Sequence, residues 1–164
     1  MYRWTSNTLM TLTILPYFHY STFIPRFYKS NTIKSVKVKF DKSCKYSIQE
    51  KSCVNKLWGF ASGFGVHKNS YRFGWTYDSV SDKIIIWAYI YCNGKLFKEK
   101  LTECNFGVEY TFTMEIKDKV TLTVGTIQKT YEVPEPKSWL LELGFYFGGE
   151  TRAPHKIKID FKRI

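Results

Sequence analysis

Short runs in which apolar and polar residues alternate constrain the fold of this 164-residue chain more than any other feature. Residues 70–77 place an aromatic side chain at every second position. A period of two gives a β-strand one apolar and one polar face. Further strand-like runs occupy residues 33–40, 83–92, 95–101, 109–116, 120–124, 127–133, 140–147 and 156–163. Together with the Asn93-Gly94 dipeptide, which predicts a tight hairpin, these runs predict an all-β domain of about nine strands.

The strand pattern begins at residue 33, and the sequence before it has a different character. Residues 33–164 are predicted to form a two-sheet antiparallel β-sandwich of the jelly-roll kind, of a size suited to one domain. Residues 1–32 contain two prolines and many aromatic residues without a clean period. This favours an irregular, extended N-terminal arm that lies over the domain or over a neighbouring subunit. A short helix is considered only for residues 138–143, as an alternative to a strand.

The formal net charge of +11 is concentrated in residues 1–75, which hold twelve basic and two acidic residues. This asymmetry favours an anionic partner such as an acidic glycan or another polyanion, with a lysine-rich solvated face as the alternative. The basic side of one predicted strand and the residues after it supply the candidate anion contacts, Lys37, Lys39, Lys42 and Lys45. No RNA-binding motif accompanies them, so nucleic acid is a disfavoured partner.

Cysteine and histidine spacing gives no metal signature. The four cysteines form no Cys-x-x-Cys pair and the chain has three histidines, so we predict no metal site and no cofactor. Reduced cysteines are expected of an intracellular or virion-associated protein, and secretion stays open. The apolar run at residues 9–15 is too short to span a bilayer and is a poor secretion signal. An ordered arm is therefore predicted there, with a leader peptide as the alternative.

Two glycine-containing segments and one strand carry the candidate chemistry. Residues 55–72 end in a cluster of imidazole, ammonium, amide and guanidinium groups, and residues 148–155 carry one arginine and one histidine. Aromatic residues on one face of the strand at residues 83–92 can form a stacking platform. The candidate ligand-binding residues are His67, Lys68, Asn69, Arg72, Trp87, Tyr89, Tyr91, Arg152 and His155.

The two segments do not contain a complete catalytic constellation. Glu150 is their only acidic residue, so they lack the paired carboxylates of most glycosidases. No catalytic residue is assigned for this reason. The alternative interpretation is that the glycines form tight turns and that the histidines bond to backbone groups. The sequence leaves open whether the two segments meet at one end of the sheets.

Two pairs of motifs carry a resemblance to a known family. Asn55-Lys56-Leu57-Trp58-Gly59-Phe60 followed by Ser70-Tyr71-Arg72-Phe73-Gly74-Trp75 resembles a strand pair of concanavalin A-like jelly rolls, which include polysaccharide lyases. Gly144-Phe145-Tyr146-Phe147 followed by Ile157-x-Ile159-x-Phe161 resembles the closing strands of the same fold. Lyases of this kind use arginine, histidine, asparagine or glutamine, and tyrosine on the concave sheet, and the motifs do not map a full set. The chain also resembles small proteins of Bacteroidetes and of their phages, which implies no function.

Three classes of function fit these observations. The first is a non-catalytic binding protein that holds an anionic ligand, in particular a glycan, through aromatic and basic side chains. The second is a structural or assembly protein, such as a virion component, whose residues 1–32 contact a neighbour in a homo- or hetero-oligomer. The third is an enzyme similar to polysaccharide lyases. We favour binding over assembly, and assembly over catalysis because no catalytic residue can be assigned.

Overall fold

The computed structural model describes residues 8–47 and 53–164, which form two six-stranded antiparallel sheets. Sheet A has the strand order β1 (Met10–Ile14), β12 (Ile157–Arg163), β3 (Thr32–Phe40), β8 (Glu109–Ile116), β9 (Lys119–Val124) and β10 (Ile127–Glu132). Sheet B has the order β2 (Phe27–Lys29), β11 (Trp139–Leu143), β4 (Asn55–Ser62), β5 (Ser70–Asp78), β6 (Lys83–Cys92) and β7 (Lys95–Cys104). Within these residues the only helical element is a 3-10 turn at Lys42–Cys44. The predicted all-β sandwich of two antiparallel sheets is confirmed.

The two sheets pack face to face through aromatic and aliphatic side chains. Phe73 of β5 meets Phe112 of β8 with ring centroids 5.1 Å apart, and Trp75 meets Phe40 of β3 at 5.8 Å. Because side chains alternate along a strand, the odd-numbered residues of β5 face sheet A. The even-numbered ones, including Arg72, belong to the outer face of sheet B.

The N-terminal segment differs over part of its length from the predicted irregular arm. β1 pairs with β12 in sheet A and β2 pairs with β11 in sheet B, so the segment supplies one edge strand to each sheet. Only the connection at residues 15–26 is irregular. Strands of five and three residues, separated by two prolines, are too short to display a period in the sequence. Residues 1–7 of the predicted arm lie outside the described residues.

Two local features decide between sequence-based alternatives. Residues 138–143 do not form a helix, and strand β11 begins at Trp139. Pairing with β4 on one side and β2 on the other satisfies its backbone. The predicted hairpin is confirmed, since Asn93 and Gly94 have φ angles of 49° and 79° and join β6 to β7.

The cysteines are all free thiols, and two of them, Cys44 and Cys104, are buried. Burial raises the pKa of the Cys104 thiol to about 12, so this residue stays neutral and packs as an apolar side chain. No helix among the described residues has the length and apolar character needed to cross a membrane.

Candidate functional site

A groove of about 1200 Å³ lies on the outer face of sheet B. Strands β4, β5 and β6 supply its floor, and β11 with the chain that follows it supplies one side. The N-terminal connection at residues 20–25 and the loop at residues 64–68 form further walls. The residues that carry its chemistry are Tyr20, Lys56, His67, Lys68, Arg72, Tyr89, Tyr91 and Tyr146.

Arg72 lies on the floor of the groove with 8% of its surface exposed. It pairs with Gly59 of β4 and Tyr89 of β6, in the interior of sheet B. Its Nη2 donates to the carbonyl oxygen of Gly144 over 2.5 Å, whereas its Nε has no hydrogen-bond partner in the described part of the chain. Burial lowers the pKa of the guanidinium to about 10, so the group is still charged at neutral pH.

Lys56 is a second, half-buried cation in the same groove. A β-bulge between Lys56 and Trp58 leaves the lysine on the outer face while the tryptophan packs in the core. The Lys56 Nζ donates to the carbonyl oxygen of Gly148 over 2.8 Å and lies 4.8 Å from the ring centroid of Tyr89. Burial, followed by the positive charge of Arg72, lowers the pKa of Lys56 to about 8.

Among the described residues of the groove, no carboxylate balances these two cations. Glu142 is the only acidic residue among the described residues that line it. Its carboxylate is engaged elsewhere, since Oε1 accepts from Trp58 Nε1 and Oε2 accepts from Arg163 Nη2, each over 2.9 Å. A buried charge with an unpartnered donor is costly unless another group supplies the missing acceptor. The groove is therefore suited to an anion, and a carboxylate offers two oxygens that can accept charge-assisted hydrogen bonds.

Aromatic rings surround the two cations. Tyr89 and Tyr91 follow each other on the outer face of β6 with centroids 5.9 Å apart, and His67 meets Tyr91 edge-on at 5.3 Å. Tyr146 meets Tyr20 edge-on at 5.0 Å. Burial, and after it hydrogen bonding with Tyr91, raises the pKa of Tyr89, which keeps its phenol protonated and able to donate at neutral pH. Flat rings beside charged donors suit a ligand that has both apolar faces and acidic groups.

The N-terminal wall of the groove is held against the sheet by two contacts of Phe23. A Cβ added at position 144 would lie 2.1 Å from the Phe23 ring, so Gly144 is what allows this ring to pack there. The Arg163 guanidinium lies 4.9 Å from the centroid of the same ring. Arg163 Nη2 also donates to the carbonyl oxygen of Ile24 over 2.8 Å. The wall therefore depends on residues that follow β11 and on residues of β12.

The structure brings five of the nine predicted ligand-binding residues to the groove. They are His67, Lys68, Arg72, Tyr89 and Tyr91. Alternation along β6 explains the two tyrosines, and the loop between β4 and β5 carries the histidine and the lysine. Of the second glycine-containing segment, only its first residues approach the site, through the backbone at Gly148 and Gly149.

The other four predicted residues lie outside the groove. Trp87 shares the outer face of β6 but lies further along the strand, where its Nε1 donates to a threonine of β5 over 2.9 Å. The side chain of Asn69 accepts from the backbone of the β6–β7 hairpin over 2.8 Å. His155 Nε2 lies 2.7 Å from a backbone carbonyl oxygen in the 3-10 turn, and Arg152 is exposed. Asn69 and His155 thus contact backbone groups, and for His155 this agrees with the alternative interpretation of the histidines.

The four predicted anion contacts are associated with sheet A and the turn after it. Lys37, Lys39 and Lys45 form salt bridges with carboxylates over 2.7, 2.9 and 2.6 Å. Lys42 lines a hollow of about 450 Å³ that also contains two aspartates. Each of these four lysines therefore has a carboxylate of this chain nearby.

Sequence analysis did not identify Lys56, Tyr20 or Tyr146 as site residues. The bulge in β4 interrupts the alternation that would have assigned Lys56 to the outer face. Tyr20 precedes the first predicted strand, and only the fold places it at the groove. Tyr146 is brought to Lys56 by a backbone pairing, in which Lys56 N donates to the Tyr146 carbonyl oxygen over 2.8 Å. Ninety residues of chain separate these partners, so no local pattern reports the contact.

Comparison with solved structures identifies the fold of this chain. It is similar to an alginate lyase from Pseudomonas aeruginosa, with a TM-score of 0.58 and 7% identity over 83% of this chain and 64% of the enzyme. For an alginate lyase from Alteromonas sp. 272 the TM-score is 0.51, with 9% identity over 95% of this chain and 72% of the enzyme. For a polysaccharide lyase of family 18 the TM-score is 0.50, with 11% identity over 96% of this chain and 75% of the enzyme. The chain thus spans less than two thirds of the Pseudomonas enzyme.

These likenesses show the fold alone. The chain has the jelly-roll β-sandwich fold of these lyases, which agrees with the resemblance to concanavalin A-like jelly rolls in the sequence motifs. No protein-family model matches the chain, and no curated protein matches it in sequence. The fold and the site together define a jelly roll with a cationic, tyrosine-lined groove on one sheet.

Proposed function

We propose that this protein binds an acidic polysaccharide in the groove on the outer face of sheet B. The observation that carries the proposal is the pair of cations Arg72 and Lys56, which no carboxylate of the described groove residues balances and which share the groove with four tyrosines. A uronate carboxylate would accept from both cations, and its sugar ring would lie against Tyr89 or Tyr146. Similarity in fold to polysaccharide lyases supports this ligand class. The assembly alternative has no such support.

Isothermal titration with oligosaccharides of alginate and polygalacturonate, and with neutral dextran, tests the proposal. We expect the acidic ligands alone to bind, with an affinity that falls as salt is added. Arg72→Met and Lys56→Met should each lower the affinity about 10- to 100-fold, because a hydrogen bond to a charged group is worth about 1.5–3 kcal/mol. Lys39→Met is the matched control, since this lysine of sheet A is paired with Asp160. Equal affinity for acidic and neutral glycans, or no binding to any of them, would refute the proposal.

A second candidate function is β-elimination on the same glycan, and the lowered pKa of Lys56, about 8, is the observation that favours it. Arg72 would neutralise the carboxylate, and Lys56 would remove the neighbouring C5 proton as general base. The electrons of that C–H bond would form a C4=C5 double bond as the C4–O glycosidic bond breaks. Tyr89 keeps its proton at neutral pH and would donate it to the leaving oxygen.

Absorbance of newly formed unsaturated ends separates the two functions. Lys56→Arg retains the positive charge but holds its proton too tightly to act as a base. We therefore expect this variant to bind the glycan and to lose any elimination that the wild type performs. Undiminished elimination would exclude Lys56 as the base. No absorbance change for the wild type with any glycan of the panel would leave binding as the function.

A further inference from the structure

An exposed group of three aromatic side chains adjoins the groove at the β2 edge of sheet B. We call Phe27, Phe64 and Trp139 the aromatic edge cluster. The rings of Phe64 and Trp139 meet edge-on with centroids 4.8 Å apart, and Phe27 lies 5.8 Å from Trp139. Phe64 and Phe27 are 75% and 64% exposed. Phe64 also lines the groove, so the two surfaces are continuous.

Strand register places the cluster on the same face of the sheet as Arg72. Gly59 of β4 pairs with Arg72 on one side and with Leu143 on the other, so Leu143 faces outward as well. Because side chains alternate along a strand, Leu141 and Trp139 of β11 face outward together with Leu143. Phe27 pairs with Leu141 and therefore also lies on the outer face. Arg72 and Trp139 are separated by two strand spacings across the sheet and by four residues along the strand. The straight-line distance between these two positions is about 16 Å.

The charge around the cluster has the same sign as the charge in the groove. Lys29 is the register partner of Trp139 on the outer face. The Lys137 side chain lies over Gly63, next to Phe64, with its Nζ 3.2 Å from the position of an added Cβ. Neither these two lysines nor Lys68 at the groove wall forms a salt bridge with any described residue. Aromatic surfaces and unpaired cations therefore continue from the groove to the edge of the sheet.

We infer that the aromatic edge cluster is a second binding surface, over which the acidic glycan held at Arg72 continues. Sugar rings of the chain pack on Trp139 and Phe27, and their carboxylates meet Lys29 and Lys137. A path of about 16 Å exceeds one sugar ring, so a monosaccharide reaches one surface and a longer oligosaccharide reaches both. The inference rests on the proposed function, because it takes the ligand of the groove as its own. An apolar protein partner fits less well, since lysines flank the cluster on two sides.

Affinity measured against ligand length tests the inference. Acidic oligosaccharides of increasing length are titrated into the wild type and into Trp139→Ala, Phe27→Ala and Phe97→Ala. Phe97 is the matched control, a 47% exposed aromatic residue on β7 at the opposite edge of sheet B. We expect the two cluster variants to bind the longest ligand about tenfold more weakly and the shortest one as the wild type does. Phe97→Ala should match the wild type at every length, and thermal unfolding verifies that each variant is folded.

The outcomes separate this inference from the proposed function. If the wild type binds short acidic oligosaccharides but gains no affinity with length, the second surface is refuted and the groove stands. If both cluster variants bind long and short ligands like the wild type, the second surface is likewise refuted. If no acidic oligosaccharide binds the wild type, the proposed function itself fails. Self-association that Trp139→Ala abolishes, in place of a length effect, would assign the cluster to a second copy of this chain.

Discussion

Arg163 Nη2 donates to Glu142 Oε2 over 2.9 Å and so joins the last strand of sheet A to β11 of sheet B. The two side chains are 10% and 1% exposed. Trp58 Nε1 supplies a further donor to the same carboxylate, and Arg163 also reaches the N-terminal wall at Ile24. This buried pair therefore connects the core of the sandwich to one wall of the groove.

Removal of one partner of this pair should destabilise the fold strongly. Arg163→Met leaves the Glu142 carboxylate buried without its counter-charge, and we expect the free energy of unfolding to fall by about 3–5 kcal/mol. The double variant with Glu142→Leu removes both charges and should cost less than the single one. Urea denaturation measures both effects. Lys119→Met, which breaks an exposed pair with Glu132, is the control and should change stability by less than about 1 kcal/mol. If Arg163→Met is as stable as Lys119→Met, the prediction is wrong.

Affinity for an acidic ligand should depend on pH through Lys56. Its pKa in the free groove is about 8, and a bound carboxylate raises it. The protonated form binds, so affinity should be constant at lower pH and fall as the pH rises above about 8, with proton uptake on binding in that range. Titration calorimetry in buffers of different ionisation enthalpy measures the uptake. In Lys56→Arg the affinity should stay constant to higher pH, and an unchanged decline in that variant would exclude Lys56 as the titrating group.

Replacement of Lys56 should weaken ligand binding and raise the stability of the fold. In the folded protein the Lys56 pKa is about 8, below its usual value of 10.5, so the folded state disfavours the charged form at neutral pH. Lys56→Met removes that cost, and we expect about 1 kcal/mol more stability at neutral pH, or a rise in Tm of about 2–4 °C. The gain should shrink as the pH rises from about 8 to about 10.5, because the unfolded chain still holds the proton there and the wild type recovers stability. Thermal unfolding at several pH values measures this, and a destabilised variant at every pH would contradict it.

A side chain at position 144 should displace the N-terminal wall. The Cβ of Gly144→Ala would lie 2.1 Å from Cγ and 2.6 Å from Cβ of Phe23, so the segment itself has to move. We expect a loss of about 1–3 kcal/mol in stability from overpacking. Acidic ligands should bind more weakly because Tyr20 moves with the wall. Gly107→Ala adds a Cβ that meets nothing within 4 Å, but the φ of 73° at this position is left-handed, so this variant is the control for loss of stability without displacement of the wall. Wild-type affinity in Gly144→Ala would show that the wall does not contribute to binding.

Part of the candidate site was predictable from a strand period, and part from the polar cluster at residues 67–72. Tyr89 and Tyr91 were identified because they lie two positions apart on a long apolar strand, and Arg72 because it closes a polar cluster that begins at His67. Lys56 follows the same rule but lies beside a bulge, which removes the period at that point. Arg152 and His155 were grouped with the site by composition, yet the fold directs His155 to the 3-10 turn. Loop residues carry no period that predicts their direction.

By itself, the sequence determined most strands after residue 32, the hairpin at Asn93-Gly94 and the sandwich, because each depends on side-chain alternation or on turn residues within a few positions. Tertiary structure alone decided which cations stay without a carboxylate. Lys39 and Arg72 are both basic residues on alternating strands, but the first lies across from Asp160 and the second faces a groove whose described residues include no free acid. That difference is set by strand register between segments far apart in the chain, and it is what gives the groove its charge.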